Sequence, residues 1–153
     1  MSFIVRSLKN AKCRMQNAEL KGATHGIIKI DRLLFVMKDN IIMEKTRLFA
    51  KRIVYLGRYL VNEKKEYVIS KQIGRSGTSI GANVFEAQNG QTKSDFASKM
   101  NIALKEATET MYWLMLLHDT EYINDTEYKS LNDDLNDIRN ILISICKTSY
   151  ENL

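Results

Sequence analysis

IIMEKTRLFAKRIVYLGRYL, residues 41–60, decides the fold. Ile42, Thr46, Phe49, Ile53, Leu56 and Leu60 succeed one another in steps of four and three. Those steps put six side chains on one stripe of an α-helix, whereas a strand would alternate every second residue. The spacing predicts an amphipathic helix over about 39–63. The same period recurs three times downstream. Ile69, Ile73, Ser76, Ile80 and Asn83 predict a second helix over about 65–87. NGQTKS at 89–94 reads as a loop in which Thr92 or Ser94 can cap the next helix. Phe96, Met100, Ala103, Ala107, Thr110, Leu114 and Leu117 predict that third helix over about 94–119. Asn124 with Glu127 three residues on has the capping-box form. The helix it opens, over about 125–148, turns Tyr128, Leu131, Leu135, Ile138, Leu142 and Ile145 inward. Short connections make neighbouring helices antiparallel, so the expected fold is all-α, an antiparallel up-down four-helix bundle.

Working outward, residues 1–36 break the pattern. Their apolar residues keep no period, and Gly22 and Gly26 interrupt any helix, so one short helix near Ser7–Lys21 is all they predict. The expected division is an irregular basic N-terminal extension, 1–36, and the bundle, 37–153. The extension holds 7 Lys and Arg against 2 acids, which is the whole net charge of +5. Either it is a basic arm that orders on a polyanion, or translation starts at Met37; the missing linker after Phe35–Val36 favours the second. The bundle region is neutral but polarised. Residues 37–82 carry 10 basic and 4 acidic groups, residues 83–153 carry 6 and 12. Such a dipole suits head-to-tail association and gives polyanions one face to prefer.

Composition excludes several classes. The 153 residues suit one domain, and 44% hydrophobic with 27% charged content is ordinary for a soluble chain. The absence of proline argues against sandwiches and barrels, whose turns use it. Cys13 and Cys146 make no disulfide framework, no CxxC exists, and His25 and His118 cannot form a His-rich metal site alone. No apolar run approaches a membrane span, and the N-terminus lacks a signal-peptide core. A reduced, cytoplasmic protein without metal, cofactor or membrane partner is expected. No nucleophile–base pair or ligand cluster points to an enzyme.

Three features suggest surfaces. GRSGTSIGAN, 74–83, resembles a phosphate loop only superficially, because it lacks the Gly-Lys-Ser/Thr ending and a preceding strand. Gly77 and Gly81, with Ser76, Ser79 and Ala82, instead suit close helix packing, which offsets a propensity cost of up to about 1 kcal/mol per glycine. Ser79, Asn83 and Glu86 share a stripe read as inward, with Lys99 or Lys105 as partner for the carboxylate. MYWLMLL, 111–117, is apolar all round. Ile102, Tyr112, Trp113, Met115 and Leu116 therefore form the expected oligomer interface. On the first helix, Lys45, Arg47, Lys51, Arg52 and Arg58 fill the arc opposite the core stripe, with Tyr55 and Tyr59 among them. Cations interleaved with aromatic rings suit a nucleic-acid backbone plus stacking on bases, and these seven are the candidate nucleic-acid-binding residues.

Two segments carry a resemblance. EKKEYVISKQIGRSGTSIGANVFEA (63–87) and DFASKMNIALKEATETMYWLMLL (95–117) resemble the bacterial four helix bundle protein family. Its founding members are encoded by intervening sequences in large-subunit ribosomal RNA genes, and accessory proteins of diversity-generating retroelements belong to it. Arg75, Ser76, Thr78, Ser79, Gly81, Ala82, Asn83 and Glu86 carry it on the second helix. Glu106, Ala107, Glu109, Thr110, Tyr112, Trp113 and Leu114 carry it on the third. The resemblance implies a ring of bundles, typically a homopentamer, and no known enzymatic activity. For the retroelement branch it implies a basic surface that binds nucleic acid and a reverse transcriptase. The expected function is thus a non-enzymatic oligomeric bundle associated with RNA or with a nucleic-acid-processing protein. The alternative is a structural scaffold for a protein partner, without nucleic acid.

Overall fold

A computed structural model describes residues 41–151. Everything expected of residues 1–36, and of the first helix before residue 41, lies outside the described residues. Within them the chain is helical at 41–62 (α1), Ile69–Ala87 (α2), Lys93–Asp119 (α3) and Asp125–Glu151 (α4).

The apolar period places each helix. Ile42, Thr46, Phe49, Ile53, Leu56 and Leu60 of α1 are all buried, as their spacing predicts. They meet Ile73, Ile80 and Val84 of α2, Met100, Leu114 and Leu117 of α3, and Leu135, Ile138 and Leu142 of α4 in one cluster. Ion pairs and hydrogen bonds fix the order around the bundle. Thr110 donates to Ser76 at 3.0 Å in the interior, joining α3 to α2. Arg139 of α4 reaches the Met111 sulfur of α3 at 3.6 Å, and Lys45 of α1 pairs with Asp137 of α4 at 2.9 Å. The four helices therefore close a ring in which every neighbour is antiparallel, the up-down bundle expected.

The glycine stretch divides sharply. A Cβ on Gly77 would lie 2.8 Å from an Ile53 side-chain carbon, so here α2 presses directly on α1. At Gly81 the nearest atom would be the Thr46 carbonyl oxygen at 3.5 Å, an ordinary contact. Gly77, not Gly81, is the residue that close packing requires.

Two caps form as the sequence predicts. Thr92 accepts a hydrogen bond from the Asp95 N–H at 3.1 Å. Glu127 N–H donates to the Asn124 side chain at 3.0 Å, and Asn124 N–H donates back to the Glu127 carboxylate at 2.9 Å. The start of α2 differs from expectation. After α1 the chain turns through Lys65, whose φ of 55° is left-handed, and Glu66 N–H closes the turn on the Leu60 carbonyl at 2.9 Å. Glu66 then accepts from the N–H groups of Val68 (2.8 Å), Ile69 (2.8 Å) and Ser70 (2.6 Å). One carboxylate thus satisfies three amides that a helix start leaves without partners. Helix α2 begins at Ile69, just after the residue whose carboxylate caps its first amides and the left-handed turn at Lys65. Among the described residues, no helix is long and apolar enough to cross a membrane.

Candidate nucleic-acid interface

The basic arc of α1 does not survive as one surface. Its seven expected members fall into two groups. Lys45 pairs with Asp137, while Arg52 pairs with Asp134 and donates to the Ser130 carbonyl at 3.1 Å and hydroxyl at 2.9 Å. Both cations are spent on the α1–α4 seam. Arg47 is held at 2.9 Å by Glu44 of its own helix, and that hydrogen bond keeps the Glu44 carboxyl below its usual range. These three carry counter-charges beside them: α4 brings Asp137 and Asp134 alongside Lys45 and Arg52, and Glu44 of α1 itself takes Arg47. Among the described residues, three surface ion pairs, Lys45–Asp137, Arg52–Asp134 and Arg75–Glu109, join the basic half of the bundle to its acidic half.

Lys51, Tyr55, Arg58 and Tyr59 remain. Lys51 and Arg58 each approach the Tyr55 ring, at 5.9 Å from its centroid. Tyr55 is 56% exposed. Tyr59 is half-buried, and Lys64 lies 5.7 Å from its ring. Lys64, Lys65, Tyr67 and Lys71 extend this group around the α1–α2 corner, and the arc of one helix missed them. The run EKKEY at 63–67 was the available signal. Lys51, Arg58, Lys64 and Lys71 make no ion pair among the described residues, and Lys65 donates only to the Asn62 carbonyl at 2.7 Å. Glu66, the nearby buried acid, is committed to the α2 cap. Burial pushes its carboxyl up, but the N–H groups of Ile69, Ser70 and Val68 outweigh it and hold the group below the usual carboxylate range. The corner therefore presents exposed cations and phenol rings, with Glu63 in the same run and, on the Lys64 side, a cavity that Asp119, Glu121, Asp125 and Glu127 also line.

The second expected surface, on α3, is also only partly open. Tyr112 and Met115 are exposed; Ile102, Trp113 and Leu116 are half-buried. Trp113 packs on the core and its indole N–H donates to Glu109 at 3.2 Å. Its ring meets Tyr112 edge-on at 4.9 Å. The stripe of Ser79, Asn83 and Glu86 lies at the α2–α3 rim rather than inward. Glu86 is exposed and takes Lys99, one of the two partners expected, at 2.6 Å. The half-buried carboxylate is that of Glu106. One of its oxygens has neither solvent nor partner, and burial, then Glu109, push its carboxyl up against the pull of Arg75.

Among the described residues no group of three His, Cys, Asp or Glu side chains could hold a metal ion. The His118 Nε2–H donates to the Asp125 carboxylate at 2.7 Å, and its ring stacks on Tyr128 at 4.5 Å, pinning the α3–α4 corner. Cys146 is free and buried, and burial pushes its thiol up, away from reactivity.

Comparison with known proteins adds three findings. The sequence pattern of one family, described as 23S rRNA-intervening sequence protein, matches residues 38–144. A crystal structure from Bacteroides thetaiotaomicron, of a protein described as of unknown function from the S23 ribosomal protein family, is similar throughout the bundle. Its TM-score is 0.71 at 58% identity, covering 72% of this chain and 98% of that one. No curated protein matches the chain.

Proposed function

The chain belongs to the 23S rRNA-intervening sequence protein family, and from that premise we propose that it is a non-enzymatic, cytoplasmic, self-associating bundle that holds RNA on its α1–α2 corner. The observation that carries this reading is the set Lys51, Arg58, Lys64 and Lys71, which make no ion pair among the described residues, beside the rings of Tyr55, Tyr59 and Tyr67. Phosphates supply the missing counter-charge, and release of their counterions drives binding. Salt titration of RNA binding by the purified chain tests it. About four phosphate contacts give a slope near −3 in log K against log salt on a single strand. Binding that ignores salt would refute the reading.

Self-association is the second half of the proposal, with α3 as its interface and a homopentamer as the expected assembly. Tyr112 and Met115 support it, as exposed apolar side chains next to the half-covered Trp113 and Leu116. Leu116→Glu should dissociate the assembly, because a charge in an interface core is left unpaired. A monomer by light scattering for the unsubstituted chain would end this part.

One observation favours a scaffold for a protein partner instead. A shallow groove of about 410 Å³ runs between α1 and α2, floored by Ala50, Gly81 and Ala82 and walled by Met43 and the exposed Phe85. Capture of a protein without RNA, insensitive to salt, would support the scaffold over the RNA reading.

A further inference from the structure

The α1–α2 corner holds a cavity of about 360 Å³ beside the cationic rings. Arg58 and Lys71 line it from two different helices, Tyr67 and Val61 give it apolar walls, and Asn62 and Ser70 give it polar groups. Gly57 lies on its α1 side, and a Cβ built there would meet nothing within 4 Å. A side chain at residue 57 would therefore have open space to enter. Tyr67 is 60% exposed, so its ring is not consumed by the core.

We infer that this cavity receives one unpaired base of an RNA strand, with Arg58 and Lys71 taking the flanking phosphates. The inference rests on the RNA reading above and narrows it from polyanions in general to unpaired nucleotides. Its size is near the lower end of small-molecule pockets, roughly 300–1,000 Å³, which suits one nucleotide. In a duplex the bases are stacked inside and offer no ring face to a tyrosine; in loops and single strands they do. The chemistry of the lining matches the parts of a nucleotide: a phenol ring and Val61 for the base face, the Asn62 amide for its edge, two cations for phosphate, while the buried Ser70 hydroxyl already donates to the Glu66 carbonyl. Arg58 also lies 5.9 Å from the Tyr55 ring, so the cavity continues into the Lys51–Tyr55 surface and a strand can run along both.

The test compares one labelled ten-nucleotide RNA as a single strand and annealed to its complement, against the full chain, by fluorescence anisotropy. The single strand should bind at least about tenfold more tightly, the scale of one or two stacked bases. Tyr67→Ala should weaken the single strand about tenfold and leave the duplex unchanged. Gly57→Leu fills the cavity from its empty side without touching the core; it should do the same while the melting temperature holds or rises. Equal affinity for both RNAs with both variants silent would overturn the cavity assignment and leave the RNA reading standing. Equal weakening on both RNAs would also overturn it, since the corner would then see backbone alone. Adenosine monophosphate competing as well as the strand would overturn the assignment to RNA in favour of a free nucleotide. Failure to bind either RNA would refute both readings.

Discussion

The two flanks of α1 carry similar cations and meet opposite fates. Lys45 and Arg52 point to α4 and find Asp137 and Asp134; Lys51 and Arg58 point away and find tyrosine rings. Side by side in sequence, Lys51 and Arg52 belong to different surfaces. The difference shows that formal charge along a helix does not measure the field it presents. The neighbour that the fold brings alongside decides it, and only the corner flank keeps its charge for a partner.

Substitution can break that contrast. Changing Lys51, Arg58, Lys64 and Lys71 together to Gln should weaken RNA binding by about two orders of magnitude at low salt and flatten the slope by about 3. Changing Lys45, Arg47 and Arg52 to Gln should leave affinity within about twofold, because those charges are already neutralised. Equal losses from the two sets, in parallel anisotropy titrations, would erase the distinction between the flanks.

A smaller effect concerns the cap that holds the corner in shape. Glu66→Ala leaves three amides without an acceptor and should cost about 2 kcal/mol, the upper range for loss of a helix cap. It should also weaken RNA binding by moving Lys64 and Lys71. The cap gives a pH signature. A carboxyl held below its ordinary range when folded contributes stability that is complete above its unfolded value, about 4.3 for Glu. The contribution is lost as pH falls below that value and through the depressed native one. Urea midpoints between pH 6 and pH 3 should therefore fall more for the unsubstituted chain than for Glu66→Ala.

The smallest effect belongs to the seam. The Arg52 and Asp134 side chains are both more than a third exposed, so Arg52→Ala should cost no more than about 1 kcal/mol, and less in high salt. A double-mutant cycle with Asp134→Ala isolates the pair. A coupling energy well above that would make the seam a main support of the fold and not a neutraliser.

Much of this was legible in the sequence. The inward residues of α1, α3 and α4 come from a 3.6 period, and the Asn124–Glu127 box comes from local spacing; both depend on nothing beyond one helix. The features that escaped depend on two. Gly77 and Gly81 share a face, and no wheel shows which one stands where α1 comes closest. Asp134 and Asp137 are some 80 to 90 residues from the cations they neutralise. Lys64, Tyr67 and Lys71 join Arg58 only because the left-handed turn at Lys65 folds α2 back along α1. The late start of α2 escaped because a carboxylate that caps three amides looks, in sequence, like one more helical Glu.

The seam also sets an order of events in time. Contacts between consecutive helices close short loops, but Lys45 and Asp137 lie 92 residues apart, and that chain must be gathered before they meet. We expect the three hairpins of consecutive helices, α1–α2 included, to acquire protected amides first and the α1–α4 seam to close last, guided over the final distance by the opposite charges of the two helices. Pulsed hydrogen exchange during refolding would read this directly. Salt should slow that last step while leaving the first rise in protection untouched, and a seam that forms together with the hairpins would refute the sequence of steps.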